Sequence, residues 1–142
     1  MPGPGGNRRP EPRGGAVITE FVAVAAGSAL GGLCRFHLTG WIDRRTHTPL
    51  SFGTLAVNTL GAFVLGLLVG TLGGATEEQP VTAALAMTGF CGSFTTVSSW
   101  SLQTITLART HRAATAVFNL AATLVAGLGA VILGLAMTGG WQ

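Results

Sequence analysis

The stretch Gly89-Phe90-Cys91-Gly92-Ser93-Phe94-Thr95-Thr96-Val97-Ser98-Ser99-Trp100-Ser101 lies near the middle of an apolar run, residues 80–108, that carries no charged side chain. Two glycines stand three residues apart, and five of the seven residues from 93 to 99 are serine or threonine. Glycine loses the most backbone entropy in a helix, and Ser and Thr compete for backbone hydrogen bonds. The stretch therefore favours a helix that breaks inside an apolar segment.

Such a break has structural consequences in a bilayer. Backbone groups freed from a helix survive there only when they are buried in protein or line a polar path. Free carbonyl oxygens also suit a small hard cation. The alternative is a continuous helix whose Ser and Thr hydroxyls bond to carbonyls one turn earlier.

The rest of the chain has the composition of a membrane protein. Its 142 residues are 48% hydrophobic and 9% charged, against about 25% charged in a typical soluble domain. An ordinary soluble enzyme and a disordered chain are both excluded. A Pro-, Gly- and Arg-rich tail at 1–15, expected to be disordered, precedes spans at about 17–41, 52–74, 80–108 and 113–138. The predicted fold is all-α, integral to the membrane, with the third of four helices broken mid-membrane.

The charges give this protein no preferred orientation. With four spans, three arginines fall on one side of the membrane and four on the other. Because loop arginines normally set orientation, such a balance predicts insertion either way up. The net charge of +3 comes with no basic stripe that would indicate nucleic acid. A cleaved signal peptide is the competing interpretation of the first span, but Glu20 interrupts its apolar core.

Polar side chains recur one turn apart inside two uncharged spans. Thr54 and Asn58 lie on the second span, and Asn119 and Thr123 on the fourth. Amides in hydrocarbon usually face the protein interior. Cation carriers generally place an acid at depth, and Glu20 at a boundary is the nearest candidate here. A track of hydroxyl and amide donors suits an anion, and hydrogen bonding between helices is the alternative.

Arg35 is the one charge deep in a span, about two turns inside Trp41. Its guanidinium either snorkels to the interface or gives positive potential to an anion vestibule. Nearby, Gly27 and Gly31 have the small-x-x-x-small spacing that lets membrane helices pack closely, as do Gly66 and Gly70. Chance spacing in a glycine-rich chain is the other explanation.

The sequence resembles the Fluc (CrcB) family of fluoride channels over essentially all of the chain after the tail. Three motifs carry the resemblance: Gly27–Arg35 (GSALGGLCR), Gly53–Asn58 (GTLAVN) and the glycine–hydroxyl stretch of the third span. The resemblance implies an antiparallel, dual-topology dimer with two pores that let fluoride leave the cytoplasm passively. It implies a multi-pass protein of the plasma membrane that is not an enzyme. The dimer it implies is either a homodimer or a heterodimer with a paralogous subunit.

The resemblance also implies site residues. A structural, untransported sodium ion is expected at the dimer centre, on the backbone carbonyls of Gly92 and Thr95. The ion pathway implied by the family, with Arg35 in the vestibule, comprises Thr54, Asn58, Thr96, Val97, Ser99, Trp100 and Thr123. The family usually has two phenylalanines three residues apart in this stretch. Here Val97 offers no ring edge, and Trp100 offers an indole N–H.

Two other functions fit parts of the sequence. Val97 makes a non-conducting or partial subunit of a heterodimeric channel plausible. A small multidrug-type transporter also has four spans and inserts both ways, but that class normally needs a deep carboxylate in the first span, where Glu20 lies near the edge.

Overall fold

The computed structural model describes residues 14–46, 48, 52–73 and 75–139. This part of the chain contains helices and turns and no strand. The elements follow one another as α1 (Gly14–Thr46), α2 (Phe52–Leu72), a divided third span, and α6 (Ala113–Met137). The third span consists of α3 (Pro80–Ala83), a π-helix (Ala84–Cys91), α4 (Gly92–Phe94) and α5 (Val97–Arg109).

Four spans are long and apolar enough to cross a membrane: Gly14–Thr46, Phe52–Leu72, Pro80–Arg109 and Ala113–Met137. The prediction of an all-helical, four-span membrane protein is therefore confirmed. The first helix is longer than its predicted span of 17–41. Most of the predicted tail, residues 1–13, lies outside the described residues, while Gly14 and Gly15 already belong to α1.

Glycines bring α1 against the π-helix. A Cβ atom added to Gly27 would overlap the carbonyl oxygen of Leu85, and one added to Gly31 would overlap that of Phe90. Because only glycine leaves room for backbone at these points, the two helices cross in direct contact. The close approach predicted from the spacing of Gly27 and Gly31 is confirmed.

Helices α2 and α6 pack in the same manner. A Cβ on Gly66 would overlap the carbonyl oxygen of Val131, and one on Gly134 would lie 2.5 Å from that of Phe63. These backbone contacts fix α2 against α6. The buried face of α2 carries Val57 and Thr54, which are the largest fully buried side chains among the described residues. This face of α2 is turned toward the interruption of the third span.

Helical geometry stops at two residues of the third span. Thr95 has φ −82° and ψ 159°, and Thr96 has φ −148° and ψ 120°, both extended. Gly92 is helical, with φ −62° and ψ −34°. The extended residues are thus the threonine pair, whereas the sequence placed the break around Gly92–Thr95. The preceding π-helix was not predicted.

Large apolar side chains cover the outside of the bundle. Phe36 is 74% exposed, Val125 73% and Phe21 72%. Exposed apolar surface of this kind belongs in contact with lipid or another apolar surface.

Candidate functional site

The Asn58 side chain closes the gap in the third span. Its Oδ1 accepts a hydrogen bond from the backbone N–H of Thr96 at 2.7 Å, and its Nδ2 donates to the Thr96 carbonyl at 3.0 Å. A side-chain amide has the same donor and acceptor as a peptide group, so one asparagine satisfies both backbone groups of an extended residue. The Asn58 amide, which is costly to place in hydrocarbon, therefore lies where backbone groups lack helical partners, and it bonds to them.

Thr96 begins the next helix. Its hydroxyl oxygen accepts from the Ser99 backbone N–H at 3.2 Å, which is the N-cap arrangement for α5. The same hydroxyl donates to Ser99 Oγ at 3.2 Å and lies 3.3 Å from Ser98 Oγ. Since Ser99 Oγ accepts from Thr96, the Ser99 hydroxyl keeps its own proton for another acceptor.

These bonds free two backbone carbonyls. In a continuous helix the N–H of Thr96 would bond to the Gly92 carbonyl, and that of Ser99 to the Thr95 carbonyl. Here the first goes to Asn58 and the second to the Thr96 hydroxyl. The oxygens of Gly92 and Thr95 are therefore among those left without their helical donors, as are those of Ser93 and Phe94.

Arg35 reaches the interruption from α1. Its Nη1 donates to the Thr95 carbonyl at 3.2 Å. The guanidinium is therefore directed to the helix break. Four of its five N–H donors remain for water or an anion.

A cleft of about 370 Å³ opens beside the break. Its lining comes from α1, the start of α2 and the start of the third span's second half, and comprises Arg35, Phe36, Thr39, Gly40, Thr54, Thr96, Ser98 and Ser99. Among the described residues, the lining contains one cationic side chain, five serine or threonine residues and no carboxylate. An environment of this kind attracts an anion and offers it hydrogen-bond donors.

The cleft unites four of the predicted site residues: Arg35, Thr54, Thr96 and Ser99. Asn58 is not among the lining residues. It positions Thr96, which does line the cleft, through two hydrogen bonds. Sequence reasoning missed Thr39 and Ser98. Thr39 had a usable signal, because it lies one turn after Arg35 on the same helix face.

Asp43 and Gln103 hold Thr54 in the cleft wall, and neither was predicted. Asp43 Oδ1 accepts from the Gly53 backbone N–H at 2.9 Å, which fixes the first turn of α2. Gln103 Nε2 donates to Thr54 Oγ1 at 2.7 Å. Gln103 also lines a neighbouring cavity of about 540 Å³ that ends at Arg112.

Trp100 lies outside the cleft lining. Its indole N–H is directed to the Asn119 carbonyl at 3.4 Å, and the Asn119 amide donates to Thr104 Oγ1 at 2.9 Å. Thr104 in turn donates to the Trp100 carbonyl at 2.9 Å. The indole proton is thus engaged with α6. Val97 also lies outside the lining and is 71% exposed.

Thr123 does not reach the cleft either. Its hydroxyl is buried and has no hydrogen-bond partner among the described residues. The described part of the chain has no group of three or more His, Cys, Asp or Glu side chains that could hold a metal. A cation at the break would therefore depend on backbone oxygens such as those of Gly92 and Thr95.

Comparison with known proteins places the chain in a family. The family model described as CrcB-like protein, camphor resistance (CrcB), matches residues 22–135. The chain is 37% identical over 126 residues to the "Fluoride-specific ion channel FluC 2" of Bradyrhizobium diazoefficiens, covering 87% of this chain and 92% of that protein. It is 47% identical over 113 residues to the protein of the same name from Haloarcula marismortui, covering 80% and 87%. The "Fluoride-specific ion channel FluC" of Methanopyrus kandleri is 38% identical over 117 residues, covering 82% and 87%. The chain belongs to the CrcB-like family of membrane proteins.

Proposed function

We propose that this protein is the subunit of a fluoride-specific channel that releases cytoplasmic fluoride passively. The observation that carries the proposal is the cleft at the helix break, which Arg35 and five serine or threonine residues line, with no carboxylate among the described lining residues. The names of the relatives describe fluoride channels, and they agree with the expectation that the chain is not an enzyme.

The chemistry of the cleft suits fluoride. Fluoride is small and strongly hydrated, so a pore must replace its water with closely spaced donors. Arg35 raises the local anion concentration. The Ser99 hydroxyl, whose proton is not used by Thr96, donates to the ion. Thr54 and Thr96 complete the polar wall, and Thr123 extends the polar track along α6.

A structural sodium ion is part of the proposal. The Gly92 and Thr95 carbonyls would hold it, because both lose their helical donors at the break. The Thr95 carbonyl, which also accepts from Arg35, has a second lone pair for the ion. A Cβ at Gly92 would meet nothing within 4 Å, so this part of the backbone is open to a neighbour. When bound, sodium would neutralise the clustered carbonyl dipoles.

Two inverted copies are proposed to form the channel. The balanced arginines permit both orientations. Phe36 and Val97, which lie near the break, are exposed and available to pack against a second chain. A homodimer is the working assembly, and a dimer with a paralogue is the alternative, prompted by Val97 and Trp100 in place of the usual phenylalanines.

Fluoride efflux from liposomes tests the function. Vesicles loaded with potassium fluoride and carrying the purified full chain should release fluoride when valinomycin is added, and vesicles loaded with chloride should not release chloride. Arg35→Gln should lower the initial rate by about tenfold, since one charge at close range is removed. Arg109→Gln is the matched control, because Arg109 is an exposed arginine at the end of α5.

Each other outcome identifies a rival. Release only after co-reconstitution with a paralogue assigns the chain to a heterodimer. Release of neither anion together with transport of a lipophilic cation would overturn the channel in favour of a multidrug-type transporter. Absence of both activities, alone and with a paralogue, leaves an accessory subunit.

A further inference from the structure

A groove of about 520 Å³ runs along α1 on the side away from the cleft. Five residues of α1 and one of α4 line it: Cys34, His37, Leu38, Trp41, Arg44 and Phe94. Successive residues of an α-helix are rotated by about 100°, so the five from α1 lie roughly opposite Arg35 and Thr39, which line the cleft. The groove is therefore a different surface from the proposed ion pathway.

The groove extends through one leaflet of a bilayer. Its deep end is Phe94, which lies at the middle of the third span and is buried. Cys34 is at the same depth, because the next residue, Arg35, bonds to Thr95. From Cys34 to Arg44, in the last turn of α1, the helix rises about 15 Å. This rise is half of the hydrocarbon thickness of about 30 Å, so an acyl chain entering beside Arg44 would reach the bilayer centre.

The two ends of the groove differ in polarity. The deep part is apolar, with Leu38 and Phe94 in its walls. The open end carries Trp41, which is 50% exposed and has the amphipathic ring that suits the boundary between membrane and water. His37 and Arg44 add N–H donors to the lining. The described lining residues include no carboxylate, so the groove joins an apolar channel to a basic rim.

The Arg44 guanidinium is available to a phosphate. A Cβ added to Gly40 would lie 3.2 Å from Arg44 Nη1, so the side chain folds back by one turn along α1, toward the membrane. It makes no hydrogen bond or ion pair with any residue that the structure describes. Arg45 lies over the Trp41 ring, 4.3 Å from its centroid, and brings a second positive charge to the rim. The planar donor fork of an arginine matches phosphate oxygens.

We propose that this groove binds one anionic phospholipid, with the phosphate on Arg44 and an acyl chain running past Leu38 to Phe94. A headgroup such as glycerol leaves the phosphate charge uncompensated, whereas choline brings its own cation to an already basic rim. Asp43, the carboxylate next to Arg44 in sequence, accepts from the Gly53 N–H at 2.9 Å and does not line the groove. The inference goes beyond the proposed function and does not rest on it.

The test measures which phospholipid lies beside Trp41. Trp100→Phe and Trp141→Phe leave Trp41 as the single tryptophan of the full chain. The protein is reconstituted in mixed bilayers of phosphatidylglycerol and phosphatidylcholine, in which one or the other lipid has brominated acyl chains that quench tryptophan fluorescence on contact. The quenching ratio gives the relative affinity, and phosphatidylglycerol should be favoured by about fivefold, the effect of one arginine beside an anionic headgroup.

Substitutions of Arg44 then test the contact with the phosphate. Arg44→Gln should abolish the preference for phosphatidylglycerol, and Arg44→Lys, which keeps the charge, should retain most of it. Arg109→Gln is the matched control, because Arg109 is also an exposed arginine in the last turn of a helix but does not line the groove. This variant should keep the native preference.

Four outcomes would overturn the proposal. They are equal quenching by the two lipids in the native groove, an unchanged preference in Arg44→Gln, and an equal loss in Arg109→Gln, which would indicate a general effect of charge. The fourth is weak quenching by both lipids that rises as the protein is diluted in lipid, which would show that a second copy of the chain covers the groove. If the tryptophan-depleted chain fails to fold, native mass spectrometry of the otherwise unaltered chain and of Arg44→Gln, with both lipids present, decides by the ratio of bound lipids.

Discussion

The side-chain amide of Asn58 pairs with the peptide groups of Thr96 as a neighbouring strand would, through bonds of 2.7 and 3.0 Å. The second helix thereby supplies the hydrogen bonds that the third span gives up. Changes at Asn58 are expected to act on both the fold and the ion.

Asn58→Asp and Asn58→Leu should separate these two effects. The aspartate keeps the acceptor for the Thr96 N–H but points a negative charge at the Thr96 carbonyl and the cleft. The leucine adds no charge but leaves the Thr96 N–H unpaired, at about 1–3 kcal/mol, while the Thr96 carbonyl, at the N-cap of α5, keeps the first bond of that helix. We expect the leucine variant to melt at the lower temperature and the aspartate variant to show the lower fluoride efflux. Equal efflux from folded samples of both would contradict a role for charge.

The crossing of α1 and the π-helix predicts a strong contrast between two glycines. Gly27→Ala should destabilise the protein severely, since the new methyl group would overlap the Leu85 carbonyl, which is backbone and cannot move aside. Gly32→Ala meets nothing within 4 Å and should be neutral or stabilising by up to about 1 kcal/mol through helix propensity. Melting curves in detergent measure both. Similar melting temperatures for the two variants would refute the backbone contact.

Thr123 offers a test of the polar track on α6. Its buried hydroxyl has no partner among the described residues, so Thr123→Val removes an unsatisfied group and should preserve or raise the melting temperature. Fluoride efflux should nevertheless fall, because the track loses a donor. Thr106→Val serves as the control, since that hydroxyl is tied to Leu102 on an exposed helix face. Efflux unchanged in Thr123→Val would remove Thr123 from the pathway.

Trp100 and Ser99 should differ although they are adjacent. The Trp100 indole N–H is directed to the Asn119 carbonyl over a long 3.4 Å, so Trp100→Phe should lose little stability and keep efflux within about twofold of the native rate. Ser99→Ala removes a hydroxyl with a spare proton in the cleft and should lower efflux by about tenfold. A reversal of this order, measured in liposomes, would show that the indole and not the serine serves the ion.

The four spans could be predicted because the thickness of the bilayer fixes how many apolar residues each helix needs. The π-helix could not, since π-helices are rare, and this one lies where the glycines of α1 meet the backbone of Leu85 and Phe90. Asn58 was identifiable from the cost of an amide in hydrocarbon. Its hydrogen-bond partner Thr96 was not identifiable, because the partner depends on which residues of the third span leave the helix.

In the cleft, too, some residues could be predicted from the sequence and others could not. Arg35, Thr54, Thr96 and Ser99 could be proposed from residue type and from the family resemblance. Gln103 could not, because its contact with Thr54 joins residues 49 positions apart. Thr39 lay within reach of a periodicity argument, but no local pattern shows that a hydroxyl will lack a partner.

The single hydroxyl of Thr96 caps α5 and also borders the cleft. Retuning the channel for another halide is therefore constrained at this atom, since a replacement without a capping oxygen would also destabilise the start of a helix. The Ser99 side chain is exposed and caps no helix, although it accepts from the Thr96 hydroxyl. The Thr39 hydroxyl has no hydrogen-bond partner among the described residues. Directed evolution toward new selectivity should accumulate its changes at those two positions and leave the threonine untouched.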